Sequence, residues 1–305
     1  IASAHVEIPA VRGRTLAADF NRPDAKYFLN RNERANPLMR VISWNINSVR
    51  LRAPLVQKLI TETAADVICL QETKCPNDSF PEKPFHKLGF AHIAKNGIKG
   101  YHGVATLSRL PMVETNIVTY CDRTDGRHIE TVLDTANGPL HIHNFYVPAG
   151  GDEPDPKINE KFAHKLAFLE EMEANFRAIR RQKKAKRQIL VGDLNIAPGE
   201  HDVWSSKQLK NVVSHTAAEI EALARVQASL DWEDVSRRFV PASEKLYSWW
   251  SYRARDWATS DRGRRLDHIW VTPVLLDDVT GFEILRDARG WERPSDHAPV
   301  VLDVR

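Results

Sequence analysis

Eight short apolar runs constrain this chain more than any other feature. They are "RVISWNI" (40–46), "DVICLQE" (66–72), "GVATLS" (103–108), "HIETVLD" (128–134), "LHIHNFYV" (140–147), "QILVGDLN" (188–195), "LDHIWVT" (266–272) and "PVVLDVR" (299–305). Each is short and rich in β-branched or aromatic residues, so each reads as a strand. Between the fifth and sixth, "KFAHKLAFLEEMEANFRAIRR" (161–181) places Phe162, Leu166, Leu169, Met172, Phe176 and Ile179 at three- and four-residue steps, which predicts a helix with one buried stripe. A second helix is expected around Ile220, Leu223, Val226 and Leu230, and a shorter one over Leu51–Ile60. Many strands, few helices and no internal repeat predict two packed sheets with helices outside, in one domain over 39–305. Residues 1–38 show no clear period and carry scattered charge and proline, so they are expected to be an amino-terminal extension outside that core.

Composition narrows the setting. Hydrophobic residues make up 42% of 305, enough for a substantial core, and no run of eighteen apolar residues suggests a membrane helix. The opening "IASAHVEIPAVRGRTLAADF" lacks the basic start and apolar stretch of a secretory leader. Cys69, Cys75 and Cys121 are odd in number and have no zinc-like spacing, which fits a reducing, cytoplasmic setting. A net charge of +3 says little about partners, but its distribution says more. "RAIRRQKKAKR" (177–187) reads as a solvated helix end. "YRARDWATSDRGRR" (252–265) interleaves aromatics with five arginines and reads as a nucleic-acid surface.

Several predicted strands end in a polar side chain. Asn45 and Asn47 follow the first, Glu72 the second, Tyr146 the fifth, and Asp193 with Asn195 the sixth; Asp267 opens the seventh, and Asp296 with His297 precedes the last. Strands covered on both faces release such groups at a common rim, where hard oxygens suit magnesium or manganese. In "VGDLN" an extended chain points Asp193 and Asn195 the same way, a base beside a neutral donor. His297 needs a carboxylate to orient it, and Asp267 is placed to do so from a neighbouring strand of the same sheet. Alternation turns His268 away from Asp267 and gives it a structural role.

In order and spacing, "SWNINSVR" (43–50), "LQETK" (70–74), "NFYVPAG" (144–150), "GDLNIAP" (192–198), "YSWWSYR" (247–253), "RRLDH" (264–268) and "SDHAPV" (295–300) resemble the exonuclease III branch of the endonuclease/exonuclease/phosphatase superfamily. The resemblance runs from Met39 to Arg305. It implies an α/β fold, a four-layered α/β sandwich with two packed mixed β-sheets flanked by helices (DNase I-like), and a site at one end of the facing sheets. It also implies a monomeric Mg2+-dependent phosphodiesterase, with Mn2+ as a substitute, acting in base excision repair. Its partner would be double-stranded DNA, cut at abasic (apurinic/apyrimidinic) sites and trimmed at 3′ ends, with no membrane involved.

Residue by residue, the resemblance makes Glu72 the principal metal ligand, with Asp296 and Asn45 or Asn47 completing the site; a second metal site would use Asp193, Asn195 and His297. Asp193 activates water, Asn195 and His297 donate to the phosphate, Asp267 holds His297, and Tyr146 contacts or protonates near the phosphate. Trp249, Arg253, Arg264 and Leu266 would meet DNA, with Trp250 turned into the core. Two residues depart from the pattern. Arg264 stands where better-known members carry tryptophan or leucine, which makes the apolar pocket smaller, and Ala149 replaces a polar residue. A phosphatase of small molecules or lipid head groups is the rival enzyme, although the chain lacks the cysteine–aspartate–arginine motif near the seventh strand. A catalytically silent nucleic-acid-binding relative is the rival from another class.

Overall fold

The computed structural model describes residues 38–182, 187–254 and 256–305. The expected extension over 1–38, apart from Leu38, and the centre of the basic run at 177–187 therefore lie outside the described residues.

The first half of the chain supplies β1 (Met39–Asn45), α1 (Val49–Thr63), β2 (Val67–Gln71), α2 (Glu82–His86), β3 (His92–Asn96), β4 (Val104–Ser108), β5 (Met112–Asn116), β6 (His128–Leu133) and β7 (Leu140–Tyr146). The second half supplies α3 (Glu160–Arg181), β8 (Gln188–Asp193), α4 (Ser206–Leu209), α5 (Ala217–Ser229), β9 (Glu233–Asp234), α6 (Val235–Phe239), β10 (Trp249–Trp250), α7 (Trp257–Ser260), β11 (Gly263–Arg264), β12 (Asp267–Val271), β13 (Val279–Ile284) and β14 (Val300–Val304). One six-stranded sheet runs β13-β14-β1-β2-β4-β3 and the other β5-β6-β7-β8-β12-β9, while β10 and β11 pair separately. Both large sheets are mixed, since β1–β2 and β7–β8 are parallel and their other pairings antiparallel.

Alternation along the central strands builds the layers. Val41, Val67, Cys69, Val300 and Leu302 from the first sheet pack with Ile142, Ile189, Val191, Ile269 and Val271 from the second. The intervening residues face outward: Ile42, Trp44, Ile68 and Leu70 meet α1, whereas Phe145, Leu190 and Trp270 meet α3 and α5. Full burial of each large side chain contributes about 1.5–3 kcal/mol, which explains why these runs are apolar on both faces. The α3 stripe is centred slightly differently from its periodicity: Phe168 is fully buried, while Leu166 and Ile179 are only partly so. All eight expected strands are present. Those not foreseen are edges or two-residue pairs; β3, β5 and β13 are mostly half-buried or exposed and so carry no apolar run.

Polar side chains also join the sheets. Asn144 donates to the Leu70 and Ala105 carbonyls and accepts from Gln71 Nε2 at 2.7 Å, tying β7 to β2 and β4. These bonds leave little freedom for the strand ends above them.

Candidate active site

Strand register assembles the first row of the site. Tyr146 lies opposite Asp193 across β7–β8, and Asp193 opposite Asp267 across β8–β12. Directly paired residues project to the same face, so phenol and carboxylates share one side of the rim. Gly192 is required just before Asp193: its φ is +137°, and an added Cβ would sit 1.9 Å from the Phe145 carbonyl oxygen.

The opposing sheet brings Asn45 from the end of β1 and Glu72 from just beyond β2. Asn45 Nδ2 donates to Glu72 Oε1 at 3.0 Å and to Asp193 Oδ2 at 2.9 Å, so one carboxamide links the two sheets. The segment before β14 is pinned to β1, with Ser295 Oγ donating to the Asn45 carbonyl and Trp44 Nε1 to the His297 carbonyl. It also pairs with the β10 segment through a Trp249–His297 bridge. His297 thereby faces the second sheet, with Nδ1 2.8 Å from Asp267 Oδ2 and Nε2 3.7 Å from Asp193 Oδ2.

Asp267 and His297 are hydrogen-bonded, but not from neighbouring strands of one sheet. The β12 and β14 strands belong to different sheets, and the pair spans the gap between them. Asn195 differs as well. Its φ of 55° breaks the extended chain after Asp193, so strand alternation does not set its direction. Its amide N–H instead meets Asp193 Oδ1 at 3.0 Å, and Nδ2 donates to the Val147 carbonyl at 2.9 Å.

Charge burial determines protonation. Burial lowers the pKa of His297, but Asp267 and Asp193 outweigh it and raise the imidazole to about 10. Burial pushes the Asp193 carboxyl up to about 7, against the pull of His297. Burial, then the Glu72 and Asp193 carboxylates, hold the Tyr146 phenol well above its ordinary range, which keeps it a hydrogen-bond donor. Asp267 Oδ2 accepts from both His297 and Ser248 Oγ, the latter at 2.6 Å, while its Oδ1 is buried without a partner.

A second corner is richer in oxygen. Glu72 and Asn47, both at positive φ, converge on the Lys74 ammonium, which lies 2.7 Å from Glu72 Oε2 and from Asn47 Oδ1. Asp296 accepts from Asn47 Nδ2 at 3.1 Å and from Trp249 Nε1 at 3.0 Å. Burial would raise its pKa, yet His297 and these donors leave it lowered, so it remains a carboxylate. Hard, ionised oxygens that already draw an ammonium fit a divalent cation. Asp193, Asp267 and His297 also have ligand atoms within 4.8 Å of one another, but His297 would have to surrender a strongly held proton to bind metal.

Trp249 is half-buried beside this corner and Trp250 is buried, as alternation predicts. Leu266 packs with Ala197, Val203 and Leu209, and Arg253 is exposed. The Arg264 guanidinium lies 5.5 Å from the Trp249 ring and donates to Val213 O at 2.9 Å and Ser214 Oγ at 2.7 Å. Three neighbours were not anticipated from the sequence: Lys74, Ser248 and Arg127, the last stacked 5.0 Å from the Tyr146 ring. Lys74 and Ser248 fall inside the quoted motifs; Arg127 carries no local signal.

Residues 42–297 match the endonuclease/exonuclease/phosphatase family. The chain belongs to that family. Exodeoxyribonuclease III of Haemophilus influenzae is 30% identical over 275 residues, covering 88% of this chain and 100% of that protein, which places the chain in the exonuclease III branch. Among solved structures, the 3′-5′ exonuclease NExo of Neisseria meningitidis superposes with a TM-score of 0.78 at 27% identity, covering 87% of this chain and 99% of that one. An AP endonuclease of Archaeoglobus fulgidus gives 0.77 at 29% identity, with 87% and 98% covered. The four-layered sandwich of two mixed sheets is the fold that these family members share. Among the described residues, no helix is long and apolar enough to cross a membrane.

Proposed function

We propose that this chain is a metal-dependent DNA-repair phosphodiesterase acting on double-stranded DNA at 3′ ends and abasic sites. The observation that carries the reading is the row Tyr146–Asp193–Asp267 in register, closed by His297 from the facing sheet. Glu72 and Asp296, supported by Asn45 and Asn47, would hold Mg2+. Such an ion would supply positive charge to offset the negative charge of the phosphate. Asp193, held by Asn45 and the Asn195 N–H, orients and deprotonates the attacking water. His297, kept protonated by Asp267, donates to a phosphoryl oxygen from Nε2. Tyr146 keeps its proton and donates beside the same phosphate.

Arg264 bears on substrate choice. Its guanidinium occupies the wall between Trp249 and the Val213–Ser214 turn, where an apolar side chain would open a pocket for a base-free sugar. Trimming of 3′ ends is accordingly the stronger activity and abasic-site cutting the weaker.

Two labelled duplexes test the reading, one with a tetrahydrofuran abasic mimic and one with a recessed 3′ end, each with Mg2+ and with chelator. Cleavage in Mg2+ that chelator abolishes is expected, faster on the recessed end. No cleavage of either duplex in Mg2+ or Mn2+ overturns it.

A further inference from the structure

Behind the site, α3 and α5 share a pair of opposite charges with no solvent exposure, Lys165 and Glu219. Lys165 occupies a buried position of α3, among Phe162, Phe168 and Leu169, where packing alone would favour an apolar side chain. Its ammonium reaches Glu219 Oε1 at 2.5 Å, the Asn195 carbonyl at 2.8 Å and the Ala149 carbonyl at 3.3 Å. All three ammonium donors are therefore used. Two of them go to backbone oxygens on the loops leaving β7 and β8, just beyond Tyr146 and Asp193. Those loops are held in restricted conformations, with Asn195 at φ 55° and Gly150 at φ 92°. A Cβ on Gly150 would lie 2.9 Å from Lys165 Cδ, so loop and lysine are in close contact.

Glu219 extends the connection. Both its oxygens accept from Ser214 N at 2.9 Å, and Oε2 accepts from Thr216 Oγ1 at 2.7 Å. Ser214 is the residue whose hydroxyl receives Arg264. Capping of α5 explains a glutamate at 219, but not a fully buried lysine opposite it. An apolar pair of similar volume is often as stable as a buried ion pair or more so.

We propose that Lys165 and Glu219 are a positioning pair that locks the loops after β7 and β8 together, so that Tyr146 and Asp193, the latter held by the Asn195 N–H, meet the phosphate in one arrangement. This rests on the phosphodiesterase reading above. The test measures melting temperature, kcat and KM on the recessed-end duplex in Mg2+ for the unaltered chain and for Lys165→Met/Glu219→Leu. The double variant is expected to melt lower, because Ser214 N, Thr216 Oγ1 and the Asn195 and Ala149 carbonyls lose their partners. Assayed where it is fully folded, it should show kcat lowered on the order of 10²-fold and KM within about threefold. Native kcat in the folded double variant overturns the proposal, whatever its melting temperature, and leaves the pair a stability feature. Should the double variant not fold, Glu219→Gln carries the test, because it keeps shape and one acceptor. There, a kcat reduced about tenfold at constant KM supports positioning, and an unchanged kcat overturns it. Failure of the unaltered chain to cut either duplex is a separate result; it removes the phosphodiesterase reading and this proposal with it.

Discussion

Asp267 and His268 are neighbours on β12, yet they serve opposite environments. Asp267 faces the rim and meets His297, whose imidazole is held protonated by two carboxylates. His268 faces the other way, accepting a close approach from Arg265 Nη1 at 3.3 Å, with Nε2 2.8 Å from the Ile196 carbonyl. Burial and the Arg265 charge lower its pKa to about 4. These two buried histidines thus differ in charge because of the sign of their nearest buried neighbour. That contrast separates the reacting face of the strand from the supporting face.

The largest expected effect lies on the reacting face. Asp193→Asn removes the proposed base, and Asp267→Asn leaves His297 without its nearest carboxylate; each should lower kcat on the order of 10³–10⁴-fold. DNA binding should stay near native in both; melting should stay near native in Asp193→Asn but fall in Asp267→Asn, which leaves the buried imidazolium without its main partner. Single-turnover cleavage with a parallel binding assay checks this, and near-normal turnover of Asp193→Asn would remove it from its role.

On the supporting face the expected loss is of stability. Arg265 is fully buried and bidentate to Asp202 at 2.7 and 2.9 Å, with a third contact to Asp234 at 2.7 Å. Arg265→Met strips these carboxylates of their main partner and should cost about 3–5 kcal/mol. Urea unfolding reads that loss, and kcat per folded molecule should change little. A large kcat defect with native stability would break the division between the two faces.

How far these faces were legible beforehand follows from the same geometry. The rim carboxylates stand where apolar runs stop, so Glu72, Asp193 and Asp296 were visible as chain punctuation. The fold was visible because central strands buried on both faces leave uninterrupted apolar runs. Edge strands β3, β5 and β13 pack on one side at most and left no such trace. Lys165 was hidden because a lysine in an amphipathic helix ordinarily reaches solvent. The pairing of Asp267 with His297 was anticipated, but the crossing between sheets was not, since sequence order does not say which sheet a strand joins. Asn195 was misjudged because alternation was carried past Asp193, although asparagine is among the residues that most readily take the positive φ it has here.

The pH dependence of stability should show both histidines, with opposite sign. An unfolded histidine titrates near 6.5 and His268 near 4 in the fold, so the unfolded chain binds a proton first as pH falls. Stability should therefore decline from about pH 6.5 to 4, by roughly 3 kcal/mol from this group. His128 and His143, also buried with lowered pKa, act in the same direction. His297 titrates above the unfolded value, so its contribution is complete below about pH 6.5 and is lost as pH rises towards 10. Urea midpoints across pH for the unaltered chain and His268→Gln test the acid side. An unchanged acid slope in the variant would mean that other groups control it.

The smallest expected effect concerns a second pair of neighbours, Trp249 and Trp250. Trp250 faces the support, packed 5.2 Å from the Trp257 ring and donating to Asp261, whereas Trp249 is half-buried and donates to Asp296. Trp249 combines two properties that substitution separates. Trp249→Phe keeps an aromatic face but loses the N–H to Asp296; both cleavage activities should fall equally, by a few fold, with more Mg2+ needed for half-maximal rate. Trp249→Ala also loses the face, which should cost abasic-site cutting roughly tenfold beyond the loss in end trimming, as expected when part of the ring's apolar contact with the base-free sugar is removed. Equal losses of both activities in the alanine variant would assign Trp249 to holding Asp296 alone. The abasic sugar would then lack an aromatic wall at this position.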